Sequence, residues 1–103
     1  MAENTKCENC AMRTKHRDDK EQKDLINRLS RIEGQIRGIK SMVENDAYCP
    51  DILIQTAAAN AALNSFNKVL LANHIRTCVT EDIREGNYET VDELVNVLQK
   101  LMK

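Results

Sequence analysis

The sequence predicts an all-α protein whose chain folds as three helices: one long, one longer and one short. Three observations carry this. The chain of 103 residues holds three glycines and one proline. That is too few turn formers for a β-sandwich or barrel, or for the strand-to-helix turns of a doubly wound α/β domain. It has two tyrosines, one phenylalanine and no tryptophan, so the aromatic residues that favour strands are scarce. Its apolar residues also recur at helical spacing over most of the length. A chain this short buries little surface alone, so an oligomer is expected.

Residues 1–19 show no hydrophobic periodicity and read as a flexible arm, while 20–103 read as one helical domain. The first helix is placed at 20–45. Leu25, Leu29, Ile32, Ile36, Ile39 and Val43 are spaced 4, 3, 4, 3, 4, the seam of a heptad repeat. Asp18 or Asp19 can cap its start. Gly34 and Gly38 weaken it by about 1 kcal/mol each relative to alanine, or let another backbone approach closely.

Asn45 to Pro50 form a break, and proline suits the first turn of the next helix. That helix is rich in alanine and directs Ile52, Ala59, Leu63, Phe66, Leu70 and Ile75 to its buried side. It runs to Arg84 and stops at Gly86. At about 35 residues it is about 50 Å long, too long for a lone domain of this size, so a partner must cover it. Thr90, Val91, Asp92 and Glu93 read as a capping box for the third helix. Its apolar stripe is Val91, Leu94, Val95, Leu98, Leu101 and Met102.

The net charge of −1 hides an asymmetry: residues 1–40 carry +3 and residues 41–103 carry −4. An anionic partner therefore meets one face rather than the whole surface. No stretch of about 18 apolar residues exists, so no membrane span is expected. The first residues lack an apolar signal region. A cytoplasmic location follows, with the four cysteines as thiols or metal ligands rather than disulfides.

His74 and Cys78 are four residues apart, on one face of the second helix. They are either an ordinary buried histidine and cysteine or two ligands of one metal ion. Cys49 lies at the other end of that helix, about 37 Å from His74 at 1.5 Å per residue. One chain cannot bring all three together while the helix stays intact. An antiparallel pair of second helices can, with Cys49 from one chain and His74 and Cys78 from its partner. The helix N-terminus at Cys49 favours a thiolate. Two thiolates and an imidazole make a soft set of three, which suits Cu(I) better than four-coordinate zinc. Cys7 and Cys10 on the arm have a spacing that fits metal or redox chemistry, and in a flexible arm the pair is either incidental or an auxiliary metal site. His16 is read as solvent-exposed.

Arg28, Arg31, Arg37 and Lys40 lie along the first helix off the seam. They are a solvated face with ion-pair partners, or, repeated by symmetry, a surface for the phosphates of double-stranded DNA. No helix-turn-helix spacing is present.

Three blocks stand out: Arg28-Leu29-Ser30-Arg31-Ile32-Glu33-Gly34-Gln35-Ile36-Arg37-Gly38-Ile39, then Asp46-Ala47-Tyr48-Cys49-Pro50-Asp51-Ile52-Leu53-Ile54-Gln55, then His74-Ile75-Arg76-Thr77-Cys78-Val79. Together they resemble the CsoR/RcnR family of metal-sensing repressors. The resemblance spans residues 22–103. It implies antiparallel dimers that pair into a disc-shaped tetramer, operator DNA bound in the apo form, and release on Cu(I) binding. It places the copper branch's ligands on Cys49, His74 and Cys78, and the Tyr and Glu around them on Tyr48 and Glu93. The nickel and cobalt branch carries histidine where Cys78 stands, and the persulfide branch lacks the histidine found at His74.

The expected function is a Cu(I)-sensing repressor, with a copper chaperone as candidate metal donor. Two alternatives are a thiol-based persulfide or redox sensor using Cys49 and Cys78, and a cytoplasmic copper buffer. Catalysis is not expected, because no nucleophile and base are grouped.

Overall fold

The computed structural model describes residues 14–102. The expected auxiliary ligands Cys7 and Cys10 lie outside the described residues, as does most of the arm. Helix α1 runs Asp19–Glu44. Asp18 caps it, its carboxylate accepting the Glu21 N–H at 2.7 Å, and Asp19 and Glu21 place negative charge in the first turn, where the helix dipole favours it.

Helix α2 runs Cys49–His74. A π turn, Ile75–Val79, and helix α3, Thr80–Arg84, follow without a break. His74, Ile75, Val79 and Thr80 all keep right-handed helical backbone angles, so the expected long second helix is one rod with a π turn in it. The extra residue of that turn shows in Thr80, whose N–H reaches the carbonyl of Ile75, five residues back. Its hydroxyl donates to the same carbonyl at 2.7 Å.

Both connections begin with the same device. After α1, Asp46 takes the left-handed conformation at φ 57°. The Ala47 N–H donates to the Met42 carbonyl at 2.9 Å and the Asp46 N–H to Val43 at 3.2 Å. After α3, Gly86 does so at φ 80°, with Asn87 donating to Asp82 at 2.8 Å and Gly86 to Ile83 at 3.0 Å. These are paired helix-ending bonds of the Schellman type.

Helix α4 runs Glu89–Leu101. Its start differs from the expected capping box. Tyr88 is the N-cap and makes no side-chain cap bond, and Asn87 Oδ1 accepts the Glu89 N–H at 3.1 Å. Thr90 is inside the helix and buried, and its hydroxyl donates to Asp82 instead. A hydroxyl bonds more strongly as donor to a carboxylate than as acceptor from a neutral backbone amide, so the buried threonine turns to Asp82.

The seam of α1 divides. Leu25 and Ile32 are buried and Ile39 is half-buried, facing α2. The alternate members Leu29, Ile36 and Val43 are 38%, 46% and 58% exposed. On α2, Ala59 is buried and Ile52, Phe66 and Leu70 are half-buried. Leu63 and Ile75, expected on the same side, are exposed together with Leu53 and Ile54. Apolar residues thus ring α2 rather than lining one face, the pattern of a helix covered on several sides. Gly34 and Gly38 admit no close backbone within the chain: a Cβ at Gly38 would meet nothing within 4 Å, and one at Gly34 only the Arg37 guanidinium at 3.7 Å.

Gly86→Ala puts a Cβ into left-handed backbone and should lower unfolding stability by about 1 kcal/mol. Asp46→Gly should raise it by less, since aspartate tolerates that conformation better than alanine. Chemical denaturation of the two variants beside the parent chain checks both signs.

Candidate metal centre

The turn after α1 sets Cys49 as the first residue of α2, and its thiol is free and exposed. Tyr48 precedes it as N-cap and is 74% exposed. At the opposite end, His74 closes α2 and Cys78 sits in the π turn. Both are half-buried, and the Cys78 thiol is free. His74 and Cys78 line one cavity of about 490 Å³ together with Lys15, Arg17, Asp82 and Thr90.

The structure therefore brings His74 and Cys78 to one site and leaves Cys49 at the far end of the rod. Twenty-five residue rises separate Cys49 from His74, about 37 Å of α-helix. Among the described residues no group of three His, Cys, Asp or Glu side chains could hold an ion within one chain. The three candidate donors are soft and two of them share a cavity, so these residues would fit Cu(I) if another copy supplied the Cys49 thiol.

His74 also borders a second cavity of about 510 Å³, shared with Leu71, Glu93, Leu94 and Val97. Glu93 is thus beside the imidazole's end of the rod, while Tyr48 stays beside Cys49 at the other. His16 is exposed, as expected.

The residues before α1 reach this site. The Lys15 ammonium donates to Thr77 Oγ1 at 2.9 Å, and Thr77 Oγ1 lies 3.7 Å from Cys78 Sγ. Glu21 pairs with Lys15 at 3.9 Å and with Arg17 at 3.7 Å, and accepts from Asn73 Nδ2 at 3.1 Å. Sequence reasoning missed Lys15, Thr77, Asp82 and Thr90 here. Only Asp82 left a signal, since His74, Cys78 and Asp82 recur at four-residue steps on one helix face.

The expected DNA-contacting cations Arg28, Arg31, Arg37 and Lys40 are off the seam of α1, on two flanks. At 3.6 residues per turn, Arg28 and Arg31 fall on one side of it and Arg37 and Lys40 on the other. Arg28 Nε pairs with Asp24 at 3.1 Å and Arg37 with Glu33 at 3.8 Å, the latter pair exposed to solvent. Arg31 and Lys40 are exposed and make no ion pair with a described residue.

Residues 21–100 match the family described as metal-sensitive transcriptional repressor. The copper-sensing transcriptional repressor CsoR of Bacillus subtilis is 46% identical over 89 residues, covering 85% of this chain and 88% of that protein. The copper-sensing transcriptional repressor RicR of Mycobacterium tuberculosis is 48% identical over 67 residues, 64% of this chain and 70% of that one. The crystal structure of the copper-sensing repressor CsoR with Cu(I) from Geobacillus thermodenitrificans superposes with a TM-score of 0.83 at 42% identity, covering 87% of this chain and 95% of that chain. The nickel-responsive transcriptional regulator InrS superposes with a TM-score of 0.66 at 44% identity, over 76% and 89%. The all-helical chain, with His74 and Cys78 at one end of its long rod, belongs to the family of metal-sensitive transcriptional repressors.

Proposed function

We propose that this chain is a Cu(I)-responsive repressor that holds operator DNA in the apo form and releases it when Cu(I) binds between two copies. One observation carries the reading. His74 and Cys78 share a cavity, and the second thiol of the set, Cys49, sits at the start of the same rod. An antiparallel neighbour supplies Cys49 where one chain does not. The uncovered half of the α1 seam and the apolar ring of α2 give that neighbour its contact area, and a second pairing of this kind makes a tetramer.

A nickel-responsive regulator resembles this chain almost as closely in sequence as the copper sensors do, so membership of the family leaves the metal open. The donor set favours copper: two thiolates and one imidazole, in a set of three, suit a soft monovalent ion. Such a site bears one net negative charge, which Lys15 and Arg17 at the cavity wall offset. Bound Cu(I) supplies only a bond between chains. The chain's own residues carry the response, through the relative position of two rods and of the α1 cations they bear. Arg31 and Lys40 are free for phosphates, and Arg28 and Arg37 become so by leaving their intrahelical partners. Residues 20–103 act as one sensing and DNA-binding unit in a cytoplasmic repressor without catalytic activity. The arm bears Cys7 and Cys10 as auxiliary metal ligands, and a copper chaperone serves as donor.

Replacing the exposed seam members, as in Ile36→Asp with Val43→Asp, should dissociate the assembly. Sedimentation of the parent chain at micromolar concentration should show a tetramer with or without metal. A folded parent monomer overturns the shared site.

Saturating Cu(I) under reducing conditions should weaken operator binding about 5–150-fold, the range of typical coupling energies. Fluorescence anisotropy on labelled DNA reads this directly. Cys49→Ala and Cys78→Ala should each abolish tight Cu(I) binding and leave apo DNA affinity near that of the parent. His74→Ala should keep some copper on the two thiolates and lose most of the release. If His74→Ala releases DNA on copper addition as the parent does, the histidine is not the regulatory ligand and sensing by the two thiols moves ahead.

Charge reversal at Arg31 or Lys40 should weaken operator binding without changing Cu(I) affinity. It should also flatten the dependence of affinity on salt, by about one counterion on each copy for every phosphate that is no longer neutralised. A copper buffer that ignores DNA would show no operator complex at any salt concentration.

A further inference from the structure

Helix α4 is tied to the segment that carries Cys78. Its main contact within the chain is with the π turn, where Val79 is buried. On α4 itself, Thr90 is the most buried of the described residues at 3% exposure. The Thr90 hydroxyl donates to Asp82 Oδ2. Asp82 follows Cys78 by four residues and His74 by eight, so the three share a helix face, and Asp82 and Thr90 line the same cavity as both ligands. Asp82 also fixes the connection between α3 and α4 through its backbone, its carbonyl accepting the Asn87 N–H at 2.8 Å. One residue thus holds both the turn before α4 and the first turn of α4 itself. Glu93, three residues beyond Thr90 on the same face of α4, borders His74 from the other side.

Apolar contact alone is non-directional and lets helices slide. A buried hydroxyl on a carboxylate fixes one register, because breaking it strands a polar group. We propose that Asp82 and Thr90 form a latch that makes α4 move with the ligand-bearing π turn, so that the pair transmits metal occupancy without holding the metal. This rests on the copper-responsive reading above. Asp82 and Thr90 are positioning residues: ligation acts on Cys78, the π turn responds, and the latch carries that shift into α4. Without the latch the metal still binds, and α4 no longer reports it.

The test uses the full chain and three variants. Thr90→Val keeps the shape and removes the hydroxyl, Thr90→Ser keeps the hydroxyl, and Asp82→Asn keeps an acceptor oxygen and loses the charge. Cu(I) affinity is read by competition with a chromophoric Cu(I) chelator, and operator affinity by anisotropy with and without Cu(I). Hydrogen exchange of residues 89–98 is read in both states. In Thr90→Val, Cu(I) affinity and apo operator affinity should stay within about 3-fold of the parent. The ratio of operator affinities should fall from the parent's value, on the order of 5–150-fold, to below about 3-fold. Thr90→Ser should restore it and Asp82→Asn should lie between. Copper should change exchange in α4 of the parent and of Thr90→Ser, and not in Thr90→Val. A parent ratio in Thr90→Val overturns the latch, as does a loss of Cu(I) affinity with the ratio intact. Should Thr90→Val fail to fold, the order of Thr90→Ser and Asp82→Asn decides, and equal ratios in those two overturn it. A parent chain that keeps its operator when saturated with Cu(I) overturns the repressor reading itself.

Discussion

The stiffness of one long helix governs the rest of this molecule. From Cys49 to Arg84 the backbone never leaves the right-handed helical region at the joints between its segments. Hydrogen bonds along that rod keep its ends apart, and no side chain reaches across about 37 Å. Every ligand set that uses both ends must therefore be built between chains. A binding event there acts on the relation between two copies rather than on a pocket inside one, which is what a sensor with a distant output needs.

The packing of α1 follows from the same constraint. Its seam is shared: Leu25 and Ile32 are buried in the chain while Leu29, Ile36 and Val43 stay open. A heptad seam is wide enough to serve two neighbours when alternate members lean to opposite sides. The core is consequently thin: among the described residues the buried apolar ones are Leu25, Ile32, Ala59 and Val79. A chain with so thin a core would draw much of its stability from association, so the proposed assembly and the proposed metal site depend on the same surfaces.

Polar detail is concentrated at the His74 end. Lys15 reaches Thr77 from before α1, Glu21 reaches Asn73, and Thr90 reaches Asp82 from α4. Three separate parts of the chain thus converge on a few turns of one helix. The Cys49 end, by contrast, is held by local bonds of the preceding turn, from the backbone and from Asn45 to Ser41, and leaves Tyr48 and Cys49 in solvent. The two ends are built for different tasks, one fixed within its own chain and one presented outward.

The sequence by itself determined the helices, because their signals are local. Periodic apolar residues, Asp18 before α1, Pro50 in the first turn of α2 and Gly86 past the end of the rod each act within a few residues, and observed boundaries fall within a residue or two of those expected. The separation of Cys49 from His74 was equally legible, since a helix converts residue number into length. What only the tertiary structure decided is which polar partner wins when several compete. Thr90 reads as a cap from its neighbours alone, but a carboxylate eight residues upstream is brought beside it by the turn at Gly86 and takes its hydroxyl. The π turn, the reach of Lys15 to Thr77 and the division of the α1 seam are of the same kind. Each depends on where a second segment lies, and spacing along one segment carries no record of that.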